Sequence, residues 1–214
     1  MFFYYFVFFI QISLLASLTT YFWEKQDLYL RLFPLFLLVT DVVEILCSYL
    51  ALHGGTTVII YNFFEIFEFC FYFFALMRIL QNKSAKKIVL VFSILYLFFA
   101  LYNVLFGQKS MFNSMSYSVG ALLIVAFCIY YFLELFQLPH SVNLLRQPAF
   151  WICSGLLFFY TCTFPIFGLA NFYGKAPRVI INHVGAIINI INVFLYSSFT
   201  IAFLCGIKTR KSTS

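Results

Sequence analysis

Seven apolar stretches, at about 2–22, 28–51, 56–80, 87–106, 117–137, 149–169 and 180–207, fill nearly all of this 214-residue chain. At about 1.5 Å per residue each is long enough for the roughly 30 Å hydrocarbon core of a bilayer. A segment in hydrocarbon must pair its own backbone amides, so each stretch reads as a transmembrane helix. The expected fold is all-α, one seven-helix multi-pass bundle over residues 1–214. Only 9% of the residues are charged, against about 25% in soluble domains. The connections are short, so any output is built from the helices or supplied by another chain.

Lys and Arg set the expected orientation. With the N-terminus outside, Lys25, Arg31, Arg78, Lys83, Lys86, Lys87, Arg146, Lys208, Arg210 and Lys211 fall on the cytoplasmic side; Lys109, Lys175 and Arg178 fall outside. Ten against three favours that orientation and a cytoplasmic C-terminus. The net charge of +6 is thereby assigned to topology, and nucleic acid is not an expected partner. The 32 phenylalanines are expected mainly on lipid-facing surface, and the six cysteines, without paired short spacing, as small apolar fillers.

The third stretch carries two acids where a carboxylate costs about 2.5–3.5 kcal/mol to insert. At about 100° per residue Tyr61, Glu65, Glu68 and Tyr72 form one stripe. The second stretch places Asp41, Glu44 and Ser48 within about 60° of one another. Both stretches are joined through His53-Gly54-Gly55 as an antiparallel hairpin, which brings the four acids to similar depth, facing one another between helices 2 and 3. No Lys or Arg lies mid-span, so the four are not expected to ionise together; each pair would share a proton or hold a cation. In helix 7, Asn182, Gly185, Asn189, Asn192 and Tyr196 share an arc of about 80°, a polar seam suited to partner the acids. Helix 4 has a thinner stripe of Ser93, Tyr96 and Asn103. Glu134, near the end of helix 5, reads as an acid reaching the interface.

Absences narrow the chemistry. Helix 7 has no lysine before Lys208 for a retinal, and no cofactor is expected. His53 and His140 fall in loops and His183 stands alone, so no metal site is expected. No nucleophile with a nearby base and no phosphate loop is evident.

The segments FPLFLLVTDVVEILCSYL (33–50), YNFFEIFEFCFYFF (61–74), FWICSGLLFFY (150–160) and INIINVFLYSSFTIAFLC (188–205) resemble an uncharacterised family of small bacterial seven-helix integral membrane proteins. The resemblance implies a bacterial cytoplasmic (inner) membrane, and sets Glu44, Asn62, Glu68 and Asn189 or Asn192 where that family has polar helix residues. The expected function is a receptor-like or sensory module whose polar core takes a proton, cation or small lipophilic ligand. Its cytoplasmic signalling partner would dock on Arg78, Lys83, Lys86, Lys87, Lys208, Arg210 and Lys211. The alternative is a proton- or cation-coupled transporter of a small solute; an enzyme acting by acid catalysis on an isoprenoid or lipid is a third reading.

Overall fold

The computed structural model describes residues 5–22, 26–107, 111–137, 143–168 and 178–210, with backbone alone at 22, 178–182 and 206–210. Its helices are α1 (Tyr5–Leu18), α2 (Leu28–Leu52), α3 (Val58–Ile79), α4 (Lys83–Phe106), α5 (Ser114–Phe136), α6 (Pro148–Gly168) and α7 (Arg178–Arg210). Helices α2 to α7 are each long and apolar enough to cross a membrane.

The first helix ends at Leu18, short of the 22 expected. It gives way to a 3₁₀ turn over Thr19–Phe22. Ser17, Thr19 and Thr20 each donate a hydroxyl to the carbonyl three residues back, all at 2.7 Å, which favours the tighter winding. Helix α4 begins four residues earlier than expected, because the Asn82 side chain caps it by accepting the Ser84 N–H at 2.8 Å.

Each helix packs on the next in sequence, and α7 contacts both α6 and α1, so the bundle closes as a ring. Helix α3 leans inward and also touches α5. Helix α4 is the most peripheral, its outer side carrying exposed Leu90, Val91, Phe92, Leu95 and Phe98. That inversion, apolar side chains outward with nothing to cover them, is the surface lipid accepts.

The phenylalanines serve the interior as much as the surface. Phe33, Phe36, Phe69, Phe73, Phe199 and Phe203 are all fully buried. Phe36 stacks on Phe71 at 4.1 Å, while Phe33 meets Phe71, Phe199 and Phe203 edge-on at 5.0–5.4 Å. Phe69 is enclosed by Tyr96, Tyr117 and Tyr160 at 5.2–5.7 Å. With no hydrophobic driving force between helices in lipid, such close packing is what holds them together.

Small residues permit it. A Cβ on Gly120 of α5 would meet the Phe69 ring at 2.8 Å, and one on Gly155 of α6 would meet Ser198 of α7 at 2.9 Å. The α2–α3 hairpin closes on Gly54, whose φ of +73° suits a residue without a Cβ. Gly55 N–H reaches the Leu50 carbonyl at 2.8 Å and Gly54 N–H the Ala51 carbonyl at 3.3 Å, the paired bonds of a Schellman ending. All six cysteines are free.

Candidate functional site

The half of the bundle nearer the α2–α3 turn encloses a cavity of about 300 Å³. Its polar lining is Glu44 from α2, Tyr61, Glu65 and Glu68 from α3, and Asn192 and Tyr196 from α7. Phe6, Phe64, Phe112, Tyr117, Phe159 and Phe167 supply aromatic wall. Phe36, Phe69, Tyr72, Phe73 and Phe199, none more than 1% exposed, are packed in the core and do not line the cavity.

The stripe on α3 delivers three of its four residues to the cavity because i, i+4, i+7 positions share a face. Tyr61 donates to Glu44 Oε2 at 3.1 Å, tying α3 to α2. Glu65 is 4% exposed; its Oε1 accepts a long bond of 3.4 Å from Tyr96 of α4, and its Oε2 has no hydrogen-bond partner. Glu68 is half-buried, its accessible part facing the cavity. It lies within electrostatic reach of both Glu44 and Glu65 and beside the hydroxyls of Tyr72 and Tyr160. Those two hydroxyls are buried without a hydrogen-bond partner.

The expected face-to-face group of four acids is not what forms. Asp41 turns towards Gln11 of α1, with its Oδ1 unpartnered, and does not line the cavity. The cause is rotation: residues three apart on a helix point about 60° apart, and α2 packs on α1 on one side and α3 on the other. The pair therefore splits between two interfaces. Glu65 is drawn the opposite way, to Tyr96 on α4.

Three further residues expected in the polar core sit elsewhere. Asn62 donates to the Met111 carbonyl at 3.2 Å and accepts the Asn113 N–H at 3.0 Å, pinning the segment that carries Phe112 into the cavity. Tyr72 is fully buried beside Glu68 and does not line the cavity. Asn189 donates to its own helix at the Gly185 carbonyl, 3.0 Å away, with its amide oxygen unpartnered. Asn192 likewise donates to Ile188, at 2.9 Å, but does reach the cavity. The seam on α7 is thus satisfied largely along its own helix. The side chain of Asn182 lies outside the described residues.

Sequence reasoning missed the aromatic wall, and with it Tyr117 and Tyr160. Tyr117 donates to Thr163 of α6 at 2.6 Å. The available signal was a Tyr where Phe would serve equally for packing, since a buried phenol needs a polar neighbour.

On the opposite face, Arg78, Lys83 and Lys87 are exposed and Lys86 half-buried. Arg78, Lys86 and Lys87 flank a groove with Met77 and Leu90, and the Arg78 guanidinium sits 5.5 Å from the Phe74 ring centre. The side chains of Lys208 and Arg210, and all of Lys211 and His140, lie outside the described residues. Glu134 does more than reach the interface. Its two carboxylate oxygens accept the backbone N–H groups of Gln81 and Asn82, each at 3.0 Å, clamping the α3–α4 turn to α5. Among the described residues no group of three or more His, Cys, Asp or Glu is arranged to hold a metal ion.

The resemblance drawn from short segments identifies no family for this chain. It matches no protein-family model, no curated protein and no solved structure; what stands is a helical protein of six long apolar helices and a shorter N-terminal one.

Proposed function

We propose that this chain is a receptor-like membrane module that binds a small molecule within the bundle and passes its occupancy to a separate cytoplasmic protein. In this reading α1 with its 3₁₀ turn, rising about 29 Å, is a seventh crossing. The N-terminus and the cavity half lie outside, as the Lys and Arg distribution favours. The basic face carrying Arg78, Lys83, Lys86 and Lys87 meets the partner, and the basic residues Lys208, Arg210 and Lys211 of the following sequence are proposed to dock it too.

One observation carries the reading: a cavity lined by three carboxyls and an aromatic wall. Such a space suits binding, and at about 300 Å³ it falls at the small end of ligand sites. The test is a panel of small cations, anions and neutral compounds against the protein purified in nanodiscs, followed by proteoliposome flux of whatever stabilises it. A binder at a hundred times its Kd should add about 2.7 kcal/mol of stability and show no saturable uptake. Uptake that Glu68→Gln abolishes would make the protein a transporter instead, and a panel without any stabilising compound would overturn the receptor reading.

A further inference from the structure

We infer that the cavity is built for a small organic ammonium ion, a protonated amine on a compact aryl or alkyl body. This inference rests on the receptor reading above and narrows its ligand.

Hydrogen-bond accounting gives the first argument. The Tyr61 hydroxyl is committed to Glu44 at 3.1 Å and the Tyr117 hydroxyl to Thr163 at 2.6 Å. Asn192 commits its Nδ2 to the Ile188 carbonyl, which leaves its amide oxygen as the accepting end. Glu65 Oε2 is an acceptor without a partner on a side chain only 4% exposed, and Glu65 lines the cavity. At Glu65 and Asn192 the lining therefore offers accepting oxygens that ask for donors, the Tyr72 and Tyr160 hydroxyls lying beside Glu68 instead. An N–H-bearing cation supplies them.

Charge gives the second. Glu44, Glu65 and Glu68 line one space, and among the described residues no Lys, Arg or His lines it with them. A buried carboxylate is costly unless paired, and a bound cation provides the counter-charge that the lining lacks. The three carboxyls do not converge as a metal site does, so the charge they suit is diffuse and carried on a larger body.

The walls give the third. Phe6, Phe64, Phe112, Phe159 and Phe167 present apolar surface for a hydrocarbon body and ring faces that attract a cation. An anion would meet three carboxyls, and a neutral alcohol would leave the charge question unanswered.

Calorimetric titration of the protein in nanodiscs should use phenethylammonium, its neutral counterpart 2-phenylethanol, and the anion 3-phenylpropionate. Shorter and longer alkylammonium ions extend the series to bracket size. The ammonium series should contain a saturable binder at least tenfold tighter than its alcohol counterpart, with no binding of the carboxylate. Glu65→Gln and Glu68→Gln should each weaken that binding tenfold or more; Glu68→Gln, at the half-buried position, serves if Glu65→Gln fails to fold. Equal binding of alcohol and ammonium would overturn cation recognition while leaving a receptor for neutral ligands intact. A series in which no ammonium ion binds at millimolar concentration, or binding that survives both substitutions, would overturn the inference as well.

Discussion

The contact between Gly120 and Phe69 gives the most quantitative test of the packing. An added Cβ at 2.8 Å from two ring carbons stands well inside the roughly 3.5–4.0 Å at which carbon atoms attract. Something must move by about 1 Å, and the ring has nowhere to go: Phe69 is fully buried, with Tyr96, Tyr117 and Tyr160 within 5.7 Å of its centre. Overpacking of this kind costs about 1–3 kcal/mol. A glycine in a helix also costs roughly 0.5–1 kcal/mol relative to alanine, which Gly120→Ala would recover. Gly185 in α7 isolates that second effect, since a Cβ there meets nothing within 4 Å. Reversible unfolding in mixed micelles should show Gly185→Ala neutral or stabilised and Gly120→Ala less stable than Gly185→Ala by about 1–3 kcal/mol. Phe69→Leu in the Gly120→Ala background should recover part of that loss, as a coupled pair does. Gly120→Ala gaining as much as Gly185→Ala would refute the claim that this glycine sets the distance between α3 and α5.

Three other expectations concern the connections. Asn62→Ala should cost about 1–3 kcal/mol, because it removes both polar contacts of a buried side chain; protection of the Asn113 amide against hydrogen exchange should fall with it, and unaltered exchange would count against the pin. Glu134→Gln leaves one oxygen for two backbone N–H groups and should cost about 1 kcal/mol at this exposed turn, with faster proteolytic cleavage at 80–82 as the readout. Gly54→Ala introduces strain without a clash, since nothing lies within 4 Å of the new Cβ; a loss of about 1–2 kcal/mol is expected, with Gly54→Asn milder in the same unfolding assay.

Hydropathy and turn chemistry made the long helices legible. The second stretch, expected at 28–51, is Leu28–Leu52, and the third, expected at 56–80, is Val58–Ile79. The His53-Gly54-Gly55 hairpin was readable because its ending depends on local conformation alone. The first helix was less so, since hydroxyl competition at Thr19 and Thr20 does not change hydropathy. At the candidate site, periodicity grouped Tyr61, Glu65 and Glu68 on one face, which needs only the helical repeat. Whether Asp41 joins Glu44 depends on which neighbour each meets, a property of the ring of helices that no single segment encodes. Asn62 is set among the polar helix residues by resemblance alone, and its partners Met111 and Asn113 come from a loop some fifty positions later.

The ring order also bears on how the chain is made. Helix α7 emerges from the ribosome after α1 to α6 and is the one that joins α6 to α1, and it brings Asn192 and Tyr196 to the side of Glu44 and Glu68. Until it docks, the carboxyls on α2 and α3 lack one wall of their enclosure. An intermediate held before that step presents acidic groups at membrane depth, the kind of surface on which insertion chaperones and membrane proteases act. Substitutions along the α7 face towards α6, such as Ser198 opposite Gly155, would then lower the amount of protein in the cell before they alter anything it binds.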